Sequence, residues 1–304
     1  MKKIVNIVCL LILSSWVAMA ANNGKDSGNE SNQLQNQNHA AGVNRFSIGL
    51  RGGLASFLPK TVSNVTDVVG GDVLFDLQYT HYWVREKDNH FGLLVGVSVG
   101  YAQSGLQNGK YHDEYTLVDP DGWTAQYTIS ADKITETDRQ IQLEIPLMFS
   151  MVHNSGIFVN FGPRFLLPMY TPYKQTLENP MVDAYFEKTD VMVHNEVITG
   201  LLTNDQLESI GDNKNTFKLN ITLGMEMGYE WKFKNNHSLG LGGYINYGVY
   251  SMFTVNTNAV DPFIEVTPAI PSVVASQSAM DTWASKLGYV DGGIKIAYHF
   301  NWFK

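Results

Sequence analysis

Residues Phe217 to Phe233 read "FKLNITLGMEMGYEWKF" and alternate between two chemistries without a slip. Phe217, Leu219, Ile221, Leu223, Met225, Met227, Tyr229, Trp231 and Phe233 share one parity; Lys218, Asn220, Thr222, Gly224, Glu226, Gly228, Glu230 and Lys232 share the other. Successive side chains of a strand point to opposite faces, so this stretch predicts a strand with one apolar face and one polar or bare face. A strand of that length divides two different solvents.

The pattern recurs along the chain. Phe91–Tyr101, Ile141–Met151, Leu239–Val249 and Ile294–Trp302 repeat it; Phe46–Phe57, Val73–Trp83 and Ile157–Tyr170 carry it more weakly. With the opening stretch these make eight predicted strands. Short polar segments, "REKDNH", "HNSG" and "KNNHS", join strands two to three, four to five and six to seven, as hairpin turns do. The other connections are long: Leu58–Gly71, Gly105–Arg139, Thr171–Thr216 and Thr254–Leu287. In an antiparallel ring this alternation gathers the short turns at one end and the long loops at the other. Bacterial outer-membrane barrels have that asymmetry, with short periplasmic turns and long extracellular loops.

The N-terminus agrees with export. Met1-Lys2-Lys3 precedes an apolar run from Ile4 to Val17 and an Ala18-Met19-Ala20 end, the pattern of a signal peptide cleaved after residue 20. The run is shorter than the roughly 20 residues of a spanning helix, which disfavours an anchor. The single cysteine, Cys9, lies inside this signal, so the mature chain is expected to have no disulfide and no cysteine chemistry. The chain carries 21 basic and 29 acidic residues, and an acidic exported protein without a basic run is not built for nucleic acid. Residues 21–44 are rich in Asn, Gln, Ser and Gly and read as a disordered periplasmic leader, leaving 45–304 as one barrel domain.

Alternation alone fits a soluble barrel with its apolar face inward as well as a membrane barrel with that face outward. Two features favour the membrane. The polar parity is heavy in glycine (Gly92, Gly96, Gly100, Gly224, Gly228, Gly240, Gly242, Gly248), which makes room inside a narrow barrel. The apolar parity ends in aromatics, Tyr229, Trp231 and Phe233 on strand six and Phe300 and Trp302 on strand eight, as a lipid-interface belt does. The fold expected is therefore all-β: an eight-stranded antiparallel transmembrane barrel. Pro146, Pro163 and Pro168 fall within strands and predict bulges.

"IQLEIPLMFSM" (141–151) followed by a short turn and "GIFVNFGPRF" (156–165) resembles the paired strands of the Bacteroidetes-type outer-membrane β-barrel domain. That family is similar in architecture to OmpA and OmpX barrels and includes PorT-like proteins; the resemblance spans Phe46 to Phe303. It implies residence in outer-membrane lipid, insertion by the barrel-insertion machinery, and, for PorT-like members, work beside other envelope proteins as a subunit of an export assembly. The family ends on a final Phe; here Phe303 is penultimate and Lys304 follows.

Assigning the polar parity inward places Arg51, Arg164, Lys218, Lys232 and Lys295 against Asp76, Glu144, Glu226, Glu230 and Asp291 in the lumen. Eight strands leave a lumen just wide enough for side chains to fill, so five charges facing five predict ion pairs that close it rather than an open pore. A narrow gated pore is the alternative. The candidates for chemistry are His112, Asp113 and Glu114, and His194 with Glu196, where acyl or peptidyl transfer would need a base beside a nucleophile. None matches a motif, and the chain is expected to be non-enzymatic. Asp119 and Asp121 in "VDPDGW" offer oxygens to a hard cation, but Asp-Pro-Asp-Gly is first a turn, the tip of a hairpin between "YTLV" and "AQYTI". No metal and no cofactor are expected. In the third and fourth loops, "TNDQLESIG" with Thr203 as cap and ending at Gly211, and "SQSAMDTWASKLG" over 276–288, predict short helices. The expected role is structural or surface interaction, carried by the loops.

Overall fold

The computed structural model describes residues 43–61, 65–86, 88–118, 122–194, 206–212, 218–233, 236–249, 264–266, 273–275, 278–280 and 284–303. The expected signal peptide and nearly all of the leader lie outside them. Gly42–Lys304 forms one compact unit.

Eight long strands make up the wall: β1 (Val43–Thr61), β2 (Gly70–Glu86), β3 (Asn89–Asn108), β4 (Lys133–His153), β5 (Ile157–Tyr170), β6 (Asn220–Lys232), β7 (His237–Gly248) and β8 (Ala284–Phe303). Each pairs antiparallel with its neighbours in chain order. The first and last strands close the ring, from Val43↔Phe303 to Thr61↔Ala284. A closed sheet satisfies its backbone without an edge.

The closing seam is nearly bare at mid-height, where Gly53 pairs with Gly293 and Leu54 with Gly292. A Cβ on Gly53 would stand 2.1 Å from the Gly292 carbonyl oxygen, and one on Gly293 would stand 2.2 Å from that of Gly52. Only glycine permits this approach of two backbones.

At the turn end the hairpins are tied to one another. The Asn154 amide donates to the Asp88 carbonyl (2.8 Å), and the Glu230 amide to the Gly156 carbonyl (2.8 Å). Gly156 holds φ at +102°, a conformation glycine adopts without strain.

Prolines act less uniformly than their missing donors predict. At Pro168 the β4–β5 register shifts by one residue, between Ile141↔Tyr170 and Gln142↔Pro168, as a bulge does. At Pro146 and Pro163 the register holds on both sides and only individual pairs drop out. The flanking pairs, held in register by the alternating faces, leave no freedom to slip.

At the other end the long connections are not simple loops. β1, β3, β4 and β8 all run several residues past their expected ends, and Val65–Val68 adds to Gly105–Asn108 of β3. Pro172–Glu178 pairs with the start of β4 and with Gln206–Asp212. A separate four-stranded sheet joins Tyr111–Val118, Thr124–Ala131, Met181–Phe186 and Val191–Val193, so the second and third loops build one unit. Its Tyr111–Ala131 hairpin is the one expected around "VDPDGW". Two expected helices are corrected. Gln206–Asp212 is a strand, because Pro172–Glu178 offers it a ladder. Of 276–288, Ala279 and Met280 are helical, but Ala284–Gly288 is extended, held by β1 in the ring. Tertiary pairing overrides local helix signals in both.

Above the wall these elements enclose an apolar core. Phe57, Leu106, Ile129, Ile134, Leu166, Leu177, Met280 and Tyr289 are all 0% exposed. At roughly 1.5–3 kcal/mol for each large buried side chain, this core is enough to make the region a packed crown.

Candidate functional site

The outer wall and the lumen are the two surfaces with distinct chemistry. On the wall, residues of the apolar parity point outward on every strand: Leu50 and Leu54 on β1, Val73 and Phe75 on β2, Val97 and Val99 on β3, Ile145 and Phe149 on β4, Phe161 on β5, Leu223 on β6, Leu241 on β7, Ile294 and Ile296 on β8. Leu54 is 65% exposed and Ile294 62%, fractions no soluble core would leave in water. On β4 the belt runs from Ile141 to Met151. At about 3.3 Å per residue and a tilt near 40° its height is about 25 Å, the apolar thickness of an outer-membrane barrel. Among the described residues no Asp, Glu, Lys or Arg side chain faces outward within it.

The predicted interface aromatics fall at the turn end of this belt. Trp231 and Phe233 are exposed and Tyr229 is half-buried, with the Tyr229 and Trp231 rings 5.3 Å apart. Phe300 packs against Tyr298 (5.0 Å) and Phe46 (6.3 Å). The side chain of Trp302 lies outside the described residues. His81 faces outward near the same rim, its Nδ1 2.9 Å from Asn44 Oδ1, which also accepts from the Tyr79 hydroxyl (2.7 Å).

Inside, six charges from six strands form a closed cycle of alternating sign. Arg51 Nε donates to both oxygens of Asp76 (3.1 Å each), and its Nη2 donates to Glu144. Arg164 donates to Glu144 (3.3 Å) and to Glu226. Lys295 Nζ donates to the two Glu226 oxygens (2.9 and 2.8 Å) and lies 3.7 Å from Asp76, which completes the cycle. Each charge touches two of opposite sign, and every member is buried. Neutral donors and acceptors fill in around it: Gln78 accepts from Lys295 (2.9 Å), Asn160 donates to Glu226 (2.8 Å) and Gln142 to Glu144 (3.2 Å). Burying charge is tolerable only where each charge is matched by opposite charge, as here, although Arg51 Nη1 and Arg164 Nε are left without a hydrogen-bond partner among the described residues.

The other predicted lumen charges stand apart from this cycle. Asp291, one layer toward the crown, accepts from Asn246 (2.9 Å). Glu230, at the turn end, takes two contacts from Arg45, at 3.0 and 2.9 Å. Lys218 and Lys232 are corrected: both are exposed. Lys218 precedes the first paired residue of β6, where strand parity no longer holds. Lys232 is the last residue of β6 and reaches out to donate to the Asn154 carbonyl (3.2 Å), as a long amine does at an open rim.

Four buried charges escaped the sequence reading. Arg45, Asp72, Glu136 and Asp138 continue the inward parities of Arg51, Asp76 and Glu144, but each lies beyond the strand ends read from the sequence. Asp72 accepts from the Tyr244 hydroxyl (2.6 Å). Glu136 sits in the crown and accepts from Ser278 Oγ (2.5 Å), the Ala279 and Met280 amides (2.6 and 2.9 Å) and Gln175 (2.9 Å). It thereby pins the fourth connection into the apolar core. Burial pushes its carboxyl above the ordinary range, against the lowering effect of these four donors.

The described lumen side chains lie in layers. The crown core and Glu136 lie at the loop end, the ion-pair cycle fills the middle, and Tyr82, Val152 and Phe158 with the Arg45–Glu230 pair form a floor at the turn end. Between floor and cycle lies a cavity of about 20 Å³ lined by Arg45, Ser47, Gln78, Tyr82, Asn160 and His299, among others, room for about one water.

The candidate reactive residues are surface pairs. His112 Nε2 lies 3.3 Å from Glu114, and His194 Nδ1 lies 3.4 Å from Asp183, in both cases with the imidazole largely exposed. Asp113 accepts from the Tyr111 hydroxyl (3.1 Å). Asp119, Asp121 and Glu196 lie outside the described residues. Among the described residues no group of three or more His, Cys, Asp and Glu is placed to hold a metal ion.

The chain matches no protein family and no curated protein. Solved structures that align with it include the attachment invasion locus protein Ail of Yersinia pestis, at 6% identity over 86% of this chain and 99% of that one, TM-score 0.25. Neisserial surface protein A aligns at 11% identity over 83% of this chain and 96% of that one, TM-score 0.24. The outer membrane protease OmpT of Escherichia coli aligns at 7% identity over 87% and 97%, TM-score 0.29. Likeness at this level transfers no function, and the barrel rests on its own register: eight antiparallel strands whose last returns to the first.

Proposed function

We propose that this protein is an exported, integral outer-membrane barrel without enzymatic activity, sealed along its axis, whose crown carries recognition at the cell surface. The observation that carries the reading is the continuous outward apolar belt around a buried, charge-paired lumen. Lipid is the solvent that makes such a wall stable, since the strands pair around a closed ring and the exposed side chains are apolar. The predicted signal peptide and the short turns at the end bearing the N-terminus support insertion from the periplasm, with the crown outside. The alternating ion pairs, the apolar floor and the one-water cavity argue against a conducting pore.

The test is reconstitution of the mature chain into lipid vesicles and planar bilayers. The expected result is a barrel that resists carbonate extraction, protects its wall from protease and passes no steady current. Extraction into the aqueous phase would refute the membrane assignment, and a steady conductance would refute the seal.

A further inference from the structure

We propose that Arg139 and Gln103, side by side on the outer wall, form a binding site for the phosphate of an outer-leaflet lipid headgroup; the proposal rests on the membrane reading above. Its first support is level. On β3 and β4 the outermost apolar pair of the belt is Tyr101↔Ile141, and Ile141 also faces Tyr170 of β5, itself exposed. The next outward pair toward the crown is Gln103↔Arg139. It stands where hydrocarbon gives way to headgroups, one step above the belt.

The second support is the state of the arginine. Its neighbours Asp138 and Gln140 are buried, while Arg139 is exposed, so its guanidinium is directed outward into the interface. Arg45, Arg51 and Arg164 are each buried and engaged by carboxylates. Arg139 alone among the described arginine side chains has no ion pair or hydrogen bond within the described residues. A cation placed at the lipid boundary with no partner among the described residues is complementary to an anion from outside the chain.

Gln103 adds orientation. Its Oε1 accepts from the Tyr101 hydroxyl (2.8 Å), which leaves the amide nitrogen, a pure donor, beside Arg139. A planar guanidinium fork beside neutral donors is matched to the tetrahedral oxygens of a phosphate. On a chain with a net charge of −8, Arg139 is a local exception rather than part of a general positive field.

The experiment places the full mature chain in phosphatidylcholine vesicles doped with diphosphoryl lipid A or with its dephosphorylated form. Native mass spectrometry then counts the glycolipid retained after transfer to mild detergent. The expected result is retention about tenfold stronger for the phosphorylated lipid, lost in Arg139→Ala, weakened in Gln103→Ala and partly kept in Arg139→Lys. Lys110→Ala, an exposed lysine away from the belt, is expected to change nothing. Equal retention of the two lipids by an inserted barrel, or an unaltered preference in Arg139→Ala, overturns the proposal. Displacement of the lipid by an equal concentration of inorganic phosphate would assign the site to free anion and overturn the lipid assignment. A chain that inserts into neither vesicle refutes the membrane reading itself, a failure that carbonate extraction distinguishes from loss of the phosphate site.

Discussion

Replacing Glu226 by Gln removes one charge from the ion-pair cycle while keeping the size of the side chain. In the intact cycle three cations, Arg51, Arg164 and Lys295, face three carboxylates, Asp76, Glu144 and Glu226, and each touches two partners. Without the Glu226 charge, Arg164 keeps Glu144 at 3.3 Å and Lys295 keeps Asp76 at 3.7 Å, so three cations share two anions. One buried charge is then uncompensated, a condition that costs about 3–5 kcal/mol. The retained partners place this case at the lower end, about 3 kcal/mol. The assay is urea unfolding of vesicle-inserted barrel followed by tryptophan emission. The double variant Glu226→Gln with Lys295→Met restores neutrality, and its loss is expected to fall to about 1 kcal/mol, about 2 kcal/mol less than that of the single variant. A single variant within about 0.5 kcal/mol of the parent would refute the reasoning. So would a double variant whose loss is the plain sum of the two singles.

Two further changes probe other parts of the molecule. A Cβ on Gly100 would stand 2.3 Å from the Val73 carbonyl oxygen and 2.4 Å from Leu74 Cγ, so Gly100→Ala is expected to lower stability by about 1–3 kcal/mol in the same urea assay; an unchanged midpoint would mean that β2 and β3 separate freely. Glu136 titrates above its ordinary value because it is buried, so its contribution to the folded state is complete below the unfolded carboxylate pKa and is lost as pH rises through the folded one. The Ala279 and Met280 amides are therefore expected to exchange faster at about pH 8 than at about pH 5, after correction for intrinsic exchange, and Glu136→Gln is expected to flatten that dependence; a flat profile in the parent would contradict it.

The wall was legible in the sequence because one signal, period-two alternation, recurs at every strand and is enforced by two solvents. Side-chain direction followed from it for Arg51, Asp76, Glu144, Arg164, Glu226 and Lys295, all placed inward by parity alone. Which of them touch was not legible, because partners come from strands distant in sequence and depend on register across the ring. Strand ends were misjudged where the inward face changes from polar to apolar. Ala102 and Leu106 on β3 and Ile134 on β4 continue the strands but no longer alternate against a polar face, since the crown core replaces the charged lumen. Arg45, Asp72, Glu136 and Asp138 were missed because they lie beyond the strand ends read from the sequence. Lys218 failed in the opposite sense, its parity extrapolated beyond the paired strand. The helix signals at 203–211 and 276–288 were locally reasonable and lost to ladders that only the assembled barrel provides.

The glycine seam between β1 and β8 has a consequence for how the barrel comes into being. Its partners are the two ends of the domain, so the pairing Val43↔Phe303 cannot form until every intervening strand has been gathered. Loop-closure entropy and high contact order make such a junction the slow, late event of assembly. At its midpoint there are almost no side chains to recruit the partner strand. At the Gly53–Gly293 pair the approach rests on the backbone ladder, and aromatic contacts across the seam come toward the two ends, at Phe46 against Phe300 and Phe57 against Tyr289. The half-made barrel therefore holds a smooth, reversible gate along its length, open to register search until the aromatic pairs at top and bottom lock it.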